Sequence, residues 1–437
     1  MSKRTSMLSV FLCGVYCGKL SENAHGALSF SYDKNYHGIP LSLSMPTGLA
    51  PFDDHIVRPY LMGLLPDEEA TRTSIGRVLG ISGDNPFRLL SFLGRDCPGA
   101  VQIIGQETAR SESSSKQLIK LSEKDIEVKL AAAKTDAASA WTDELPLSEG
   151  HWSLGGCQSK LALRKHGDAW YECTGDAATT HILKPGVNGL ASQALCEYLS
   201  MRTAHRIGLP VAPVSYQQFG TEPAIIVERY DRIRHIDGTV TRIHQEDLCQ
   251  ALSVMPSRKY AEQGGPTTPQ IISLLNSTGG QARENVHRFI LYLFFNYLIG
   301  ATDAHAKNHS ILFLNEHDVR IAPLYDVASI APYRSLAPKQ RKPLRAALSI
   351  GGENRFGTVA AKHVERLVEQ CDLAALGLTA DMLIRQFASM ASLIPQALQQ
   401  EIDLARQQEM QGIDSIAASF ESEVGGNCRR TLNLLGM

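Results

Sequence analysis

The feature that most constrains this chain is a polar loop that directly follows its most apolar segment. The run from Phe289 to Ala301 is interrupted only by Asn296, and it is too short to span a bilayer. It therefore predicts a buried helix. Asp303 and Asn308 follow at once. A carboxylate and an amide held at the end of a core helix make this loop a candidate functional site.

The spacing of Asp303 and Asn308 matches the separation at which protein kinases place a base and a metal ligand. One short loop then presents a group that takes a proton from an acceptor hydroxyl and an oxygen that holds Mg²⁺. Taken alone, the pair is better explained by a solvated loop or a helix cap. His305 and Lys307 add polar groups to the same loop and favour the functional interpretation.

Asp326 supplies a second candidate metal ligand. It follows the apolar residues IAPLY, which we predict to be a strand, and a carboxylate at a strand end is well placed to bind a metal. A simple turn residue is the alternative. The order base, asparagine, strand, aspartate is the order that phosphoryl transfer uses.

Gly155 and Gly156 lie in the segment HWSLGGCQSKLALRK, which predicts strand, glycine turn and strand. Without Cβ atoms, these residues allow backbone N–H groups to approach phosphate oxygens closely. The segment is not a Walker A loop, because G-x4-G-K-[ST] is absent. An ordinary hairpin is the alternative.

Lys184 ends the predicted strand TTHILK, where its ammonium group would neutralise phosphate charge. Glu197 lies on the predicted helix QALCEYLSMRTAHRIGL, which stops at Gly208, and would pair with Lys184. Taken on its own, Lys184 is better explained as an exposed surface lysine. The combined order of these features favours a kinase-like site. That order is the glycine turn, the lysine, the glutamate, the linking strand PAIIVERY and the two acidic loops.

The N-terminal residues mimic a signal peptide, because Lys3 and Arg4 precede an apolar run from Met7 to Cys17. A strand, a turn near Gly14 and a second strand explain the run better. Further on, PLSLSMP alternates between prolines and predicts an edge strand. Residues 106–118 are polar and serine-rich and predict a linker. After it, Ser122 to Asp125 predicts a helix cap.

Composition excludes several classes of protein. A chain of 437 residues predicts two or three domains, and a formal net charge of −2 argues against a polybasic surface that binds nucleic acid alone. The nine cysteines include no CxxC pair, so neither a disulfide framework nor a zinc site is indicated. Scattered thiols fit a reducing cytoplasm, with no membrane segment.

Together these stretches resemble the HipA family, the kinase toxins of bacterial toxin–antitoxin modules. PLSLSMP, LLPD and GRDCPGAV are similar to N-terminal stretches of that family. The kinase part is similar at SLGGCQSKLAL, THILKP, VERYDR, HQEDLCQAL, KYAEQGGP, LIGATDAHAKNHS and PLYDVAS. The resemblance runs over nearly the whole chain, and GATDAHAKN is highly specific.

The resemblance implies a role for each candidate residue. Asp303 would be the catalytic base, with Asn308 and Asp326 holding Mg²⁺ and Glu197 supporting Lys184. ATP would be bound by the phosphate loop, by Lys184, by an inter-lobe link and by residues around the metal: Gly155, Gly156, Cys157, Gln158, Ser159, Lys160, Lys184, Glu228, Arg229, Tyr230, His305, Lys307, Asn308, Tyr325 and Asp326. Cys157 and Ser159 differ from the usual family residues, which is tolerable because the backbone binds the phosphates.

The resemblance also implies regulation and partners. Ser153 matches the serine that family members autophosphorylate, and a phosphate there would disrupt a loop built for phosphates. Expected partners are a HipB-like helix-turn-helix antitoxin, operator DNA through that complex, and an aminoacyl-tRNA synthetase as substrate, glutamyl-tRNA synthetase first. A basic run either contacts DNA phosphates or an acidic substrate, or forms a solvated loop. It consists of Lys339, Arg341, Lys342 and Arg345.

We therefore expect a two-lobed α/β (α+β) protein-kinase-like fold. Residues 1–120 would form an extra β-containing N-terminal subdomain, residues 121–235 a β-rich kinase N-lobe, and residues 236–437 an all-helical C-lobe. The expected activity is that of a cytoplasmic Mg·ATP-dependent serine/threonine protein kinase. A small-molecule kinase and a catalytically silent co-repressor are the alternatives.

Overall fold

The computed structural model describes residues 6–49, 51–105, 117–135, 153–156, 158–336 and 343–437. The chain divides into two compact units, each built from three segments. The first comprises Met1–Pro185, Gln218–Arg258 and Ser310–Val319, and the second comprises Gly186–Gln217, Lys259–His309 and Arg320–Met437. The three-domain division predicted from the sequence remains a proposal.

The first unit begins with a four-stranded antiparallel sheet in the order β3-β2-β1-β4. Its strands are β1 (Ser6–Leu12), β2 (Val15–Glu22), β3 (Leu28–Tyr32) and β4 (Val101–Gly105). Cys13 and Gly14 both have positive φ, 53° and 78°, which suits the tight turn of a right-twisted hairpin. This confirms the predicted strand, turn and strand in place of a signal peptide.

Three helices pack on this sheet: α1 (Asp54–Gly63), α2 (Glu69–Leu79) and α3 (Pro86–Leu93). They share one apolar core with the strands, centred on buried residues such as Tyr60, Phe87 and Phe30. Asn85 caps α3 by accepting the Arg88 N–H.

The prediction of an edge strand at PLSLSMP is wrong. The segment folds as a tight turn in which the Met45 N–H donates to the Ser42 carbonyl at 3.0 Å. The hydroxyl groups of Ser42 and Ser44 hydrogen-bond to each other at 2.7 Å. Local bonds of this kind compete with a strand ladder, and the flanking prolines contribute no N–H donor to one.

A second sheet of six strands has the order β5-β7-β6-β8-β10-β9. Its strands are β5 (Gln117–Leu121), β6 (Leu161–His166), β7 (Ala169–Thr174), β8 (His181–Lys184), β9 (Val214–Phe219) and β10 (Glu222–Glu228). Helix α4 (Glu123–Thr135) packs on it through Ile126 and Leu130. The predicted cap of α4 is confirmed, since the Asp125 N–H donates to the Ser122 hydroxyl.

Lys184 lies on an interior strand of this sheet. It is paired with Ile225 of β10, while Leu183 is paired with Leu161 of β6. The register confirms the short strand that was predicted to end at Lys184.

Helix α5 (Gln193–Arg206) belongs to the second unit and confirms the helix predicted there. The first unit is completed by short elements: β11 (Arg232–Arg234), β12 (Val240–Arg242), β13 (His244–Asp247), α6 (Leu248–Ala251), β14 (Ser310–Asn315) and β15 (Asp318–Ile321). β13, β14 and β15 form a three-stranded sheet in that order.

The second unit is mainly helical. Its remaining elements are α7 (Thr268–Asn276), α8 (Ala282–Ile299), β16 (Arg345–Ile350), β17 (Glu353–Arg355), α9 (Ala361–Gln370), α10 (Ala380–Gln407) and α11 (Ile413–Leu435). Helix α8 is the predicted buried helix, and Phe289, Phe294 and Phe295 are fully inaccessible.

The chain is predominantly helical after about residue 240, as predicted, but the prediction of an all-helical C-lobe needs correction. Strands β12 to β17 lie in that part of the chain. Each is only three to six residues long, which is too short for a period of two to be distinguished from an apolar helix segment. Among the described residues, no helix has both the length and the apolar character needed to cross a bilayer.

Candidate functional site

Helix α8 supplies the rigid base of the Asp303 loop. It ends at Gly300, whose φ of +81° is the left-handed C-cap conformation that glycine adopts without strain. The loop then closes on itself, because the N–H of His305 donates to the carbonyl of Asp303 at 2.8 Å. A one-turn 3₁₀ helix, Ala306–Asn308, completes it.

The carboxylate of Asp303 combines exposure with defined neighbours. Its side chain is 61% exposed, while His305 beside it is only 2% exposed. The Tyr260 hydroxyl donates to Oδ1 of Asp303, and Nε2 of His305 lies 3.6 Å from the same oxygen. An exposed carboxylate held in one orientation suits a group that accepts a proton from an external hydroxyl.

Asn308 is oriented by its own loop. Its Nδ2 donates to the backbone carbonyl of Asp303 at 2.8 Å, which assigns the amide nitrogen to the loop and the amide oxygen to the other direction. Among the described residues, no group of three or more His, Cys, Asp or Glu side chains is arranged to hold a metal. Mg²⁺ commonly takes only one or two protein ligands and completes its shell with phosphate and water. The amide oxygen of Asn308 and the carboxylate of Asp326 fit that ligand chemistry.

Asp326 has a backbone conformation that few non-glycine residues adopt, with φ at +58°. Such strain is concentrated at functional sites, where surrounding contacts enforce it. The expectation that Asp326 follows a strand directly was wrong, because β15 ends at Ile321 and Leu324 makes only an isolated bridge to Val211. That bridge still fixes the chain two residues before Asp326.

Contacts on both sides tie Asp326 to the Asp303 loop. Before it, the Tyr325 hydroxyl donates to the Lys307 carbonyl at 2.9 Å. After it, the Ser329 hydroxyl donates to the Ile299 carbonyl at 2.5 Å and the Ile330 N–H donates to Gly300 at 3.0 Å. The two acidic loops are therefore anchored to the same end of α8.

Helix α5 is also attached to this segment. The Cys196 thiol donates to the Ser329 carbonyl at 3.3 Å, and the neighbouring Glu197 is fully buried. Lys184 is buried in the first unit, at the end of β8. The pairing of Lys184 with Glu197 remains a prediction.

The glycine segment of the first unit differs from the predicted hairpin. Residues 153–155 form no strand, residues 151 and 152 lie outside the described part of the chain, and the following strand begins only at Leu161. Instead, Gly156 makes an isolated parallel bridge to Pro66. The predicted first strand is thus replaced by docking onto the N-terminal region.

Gly156 is held by reciprocal bonds to Asp67. The Asp67 N–H donates to the Gly156 carbonyl at 3.2 Å, and the Gly156 N–H donates to Oδ1 of Asp67 at 3.3 Å. The φ of Gly156 is +106°, and a Cβ atom there would lie 2.5 Å from Nζ of Lys160. Glycine is therefore favoured by its backbone conformation, whereas the flexible end of Lys160 could move to make room for a Cβ atom.

The side chains that follow lie close to this turn. Nζ of Lys160 donates to the Gly155 carbonyl at 2.7 Å. Gln158 and Ser159 are half-buried, and Cys157 lies outside the described residues.

Ser153 is fully buried against the N-terminal region. Its hydroxyl donates to the Leu64 carbonyl at 2.5 Å, and its N–H donates to the Asp96 carbonyl at 2.9 Å. Leu154 beside it belongs to the N-terminal apolar core. A phosphate group has no room at such a position.

The predicted adenine link, Glu228 to Tyr230, borders a buried ionic network. Arg229 donates to Thr179 at 2.8 Å and pairs with Asp231 at 2.9 Å, while Arg232 pairs with Asp96 at 3.0 Å. Burial alone would raise the pKa of Asp96, but Arg232, Arg229 and Arg242 together hold it below its usual range.

The backbone of Arg229 is engaged as well. Its N–H donates to Thr180 at 2.9 Å, and its carbonyl accepts from Arg232 at 3.2 Å. The side chain of Glu228 accepts from Arg234 at 2.6 Å, and that of Tyr230 is bonded to Gln245. Nucleotide binding by these three residues remains a prediction.

Most of the predicted basic run, Lys339, Arg341 and Lys342, lies outside the described residues. Arg345 begins β16, where its guanidinium donates to Asn354 at 3.3 Å. Its proposed contact to DNA or substrate stays untested.

Sequence reasoning missed Tyr260, Asp67 and Ser329 as residues that shape these loops. Tyr260 and Asp67 lie within KYAEQGGP and LLPD, two stretches that had already stood out, but neither stretch indicates which atom its side chain would meet. For Ser329, the sequence offered only its position shortly after Asp326 as an indication that it shapes the site.

Residues 8–104 match the family model of the HipA N-terminal domain, and residues 152–398, more than half of the chain, match that of the HipA-like C-terminal domain. The chain is 38% identical over 341 residues to the kinase candidate Y4mE of Sinorhizobium fredii, covering 76% of this chain and 79% of that protein. It is 27% identical over 448 residues to the serine/threonine-protein kinase toxin HipA of Shewanella oneidensis, covering 99% and 97%.

A solved structure of the Shewanella oneidensis HipA, HipB and operator DNA complex also matches. The TM-score is 0.79 at 25% identity, and the match covers 98% of each chain. The predicted kinase-like α/β fold class is thereby confirmed.

Proposed function

Because the chain belongs to the HipA family and is a protein serine/threonine kinase, we propose that it transfers the γ-phosphoryl group of Mg·ATP to a serine or threonine of another protein. The observation that carries this proposal is the Asp303 loop. It presents an exposed, oriented carboxylate and an amide oxygen of fixed direction on one short turn at the end of a buried helix.

Residues of this loop and of the Asp326 loop have different roles in the proposed phosphoryl transfer. Asp303 accepts the proton of the acceptor hydroxyl and orients its oxygen for in-line attack. Asn308 and Asp326 would hold Mg²⁺, which supplies positive charge to the phosphate oxygens when bound. The bond from the Tyr325 hydroxyl to the Lys307 carbonyl joins the two acidic loops, and His305 flanks the Asp303 carboxylate.

The first unit supplies the nucleotide side of the proposal. Lys184 would neutralise phosphate charge, with Glu197 of the second unit as its predicted support. Residues 155–160 would bind phosphate oxygens through backbone N–H groups, of which that of Gly156 donates to Asp67 in this structure. Glu228 to Tyr230 contact adenine.

Ser153 is the proposed site of autophosphorylation. Its hydroxyl is buried and donates to Leu64, so the segment must leave its docked position before Ser153 can react. A phosphate of charge near −2 cannot return to that site, because it would be buried beside carbonyl oxygens. The modification therefore keeps the phosphate loop undocked and silences the kinase.

We also propose that the chain acts as the toxin of a toxin–antitoxin module in the cytoplasm. Support comes from the Shewanella oneidensis relative, which is named as a kinase toxin and is solved with HipB and operator DNA. The partner here would be a HipB-like antitoxin that carries the complex to DNA. The substrate would be an aminoacyl-tRNA synthetase, with glutamyl-tRNA synthetase as the first candidate, so that phosphorylation halts translation and produces persistence.

The test compares wild type with Asp303→Ala by transfer of label from radioactive ATP to the protein itself. Removal of the base should lower the rate by about 100-fold or more, with unchanged ATP affinity by calorimetry. Asp381→Ala, an exposed aspartate of the same unit, is the matched control and should behave as wild type. Retention of the label by Asp303→Ala would refute the assignment of the base.

A further inference from the structure

Tyr260 projects from a turn whose backbone is fixed. Its carbonyl accepts the N–H groups of Gln263 and Gly265, both at 3.0 Å. Gly264 between them has a φ of +81°, which closes the turn without steric strain. The position of the Tyr260 Cα atom is therefore set by local hydrogen bonds.

The same turn is attached to the β16–β17 hairpin. Glu262 accepts from Nδ2 of Asn354 at 3.5 Å, and its carboxylate lies 3.9 Å from the guanidinium of Arg345. Lys259 on the other side of Tyr260 is buried. The side chain of Tyr260 thus extends from a turn that is held at both ends.

From this turn, Tyr260 reaches the carboxylate of Asp303. Its hydroxyl donates to Oδ1, and the Tyr260 ring meets the ring of His305 edge to face, with centroids 4.8 Å apart at 83°. His305 is itself buried and flanks the same Oδ1. The side chain of Asp303 is 61% exposed, and the contacts from Tyr260 and His305 restrict the rotamers that it can adopt.

We infer that Tyr260 is a positioning residue for phosphoryl transfer: its hydroxyl fixes the orientation of the Asp303 carboxylate toward the acceptor hydroxyl. This inference rests on the proposed role of Asp303. The orientation of a reacting group contributes strongly to rate, whereas nucleotide affinity does not depend on it. The opposite arrangement, in which the Tyr260 hydroxyl occupies the place of the acceptor and blocks the base, predicts the opposite change.

The test is Tyr260→Phe, which removes the hydroxyl and keeps the ring against His305. Self-labelling of the full chain is measured under single turnover with radioactive Mg·ATP, together with ADP formation at steady state. We expect kcat to fall about tenfold, with the KM and Kd for ATP unchanged. Tyr216→Phe, a partly buried tyrosine on β9 of the same unit, is the control and should match wild type.

Three results with Tyr260→Phe would overturn the inference. An unchanged kcat means that the hydroxyl does not act on Asp303, and a raised kcat means that Tyr260 blocks the base. A parallel loss of ATP affinity and melting temperature means that the residue is merely structural. If wild type and Asp303→Ala form ADP and self-label at equal rates, the proposed function itself fails, and the inference with it.

Discussion

At the scale of single residues, Glu246 is a buried carboxyl group outside the candidate site. It is fully inaccessible, and its Oε1 accepts the N–H of Leu43 at 2.8 Å. Burial raises the pKa of Glu246 to about 8, while hydrogen bonds from Ser42 and Leu43 oppose the shift and Asp247 adds to it. Its Oε2 has no hydrogen-bond partner within the described part of the chain. The group is therefore neutral at physiological pH.

This burial makes stability depend on pH. An unfolded glutamate ionises near pH 4.3, whereas folded Glu246 keeps its proton until about pH 8. Between these values the folded state binds more protons, so stability falls as pH rises, by at most about 1.4 kcal/mol per pH unit. Glu246→Gln should remove this slope and be the more stable protein at pH 8.

Urea denaturation of wild type and Glu246→Gln at pH 5 and pH 8 checks this prediction. Glu365→Gln, an exposed glutamate on α9, is the control and should follow wild type at both pH values. If the free energies of unfolding of wild type and Glu246→Gln differed by the same amount at pH 5 and pH 8, Glu246 would ionise as an ordinary glutamate.

Residue roles differed in how well the sequence predicted them. The closeness of Asp303 and Asn308 was predictable because one short loop carries both, while their catalytic roles remain predictions. Tyr260 lies 43 positions from Asp303, and Leu43 lies 203 positions from Glu246. Contacts over such separations depend on tertiary packing, which local spacing does not encode.

At the scale of elements, the proposed phosphate loop is held by hydrogen bonds to the N-terminal segment that follows α1. The bonds of Asp67 to Gly156 and of Ser153 to Leu64 hold it on that segment. The sequence predicted the glycine turn but not its partner, because an isolated bridge between Pro66 and Gly156 has no periodic signature. Helix α5 and strand β8, with their longer or more apolar patterns, were predicted correctly.

Because the Asp67 side chain helps to hold this loop in place, we predict that Asp67→Ala accelerates autophosphorylation of Ser153. Loss of one hydrogen bond, worth about 1 kcal/mol, should shift the balance of docked and undocked loop about fivefold toward the undocked form. The initial rate of Ser153 labelling at saturating ATP should rise by about the same factor.

The rate is measured by phosphopeptide mass spectrometry. Asp84→Ala, an exposed aspartate of the same region, is the control and should label at the wild-type rate. A rate for Asp67→Ala equal to or below wild type would show that the Asp67 bond does not limit release of the loop.

At the scale of the whole molecule, the chain passes between its two units several times. Residues 186–217 belong to the second unit, although the strands before and after them belong largely to the first. Such interleaving explains why the order of motifs predicted the fold class but not the unit that each segment joins. Lys184 belongs to the first unit and Asp303 to the second, and their roles in catalysis remain predictions.

The proposed function depends on Asn308 and Asp326 holding the Mg²⁺ of Mg·ATP. The decisive measurement is a crystal structure of the protein with Mg²⁺ and a non-hydrolysable ATP analogue. We expect Mg²⁺ bound by Asn308 and Asp326, and, as a separate expectation, the Lys184 ammonium group about 3 Å from a phosphate oxygen. A nucleotide bound elsewhere, or a metal held without both side chains, would contradict the proposed function.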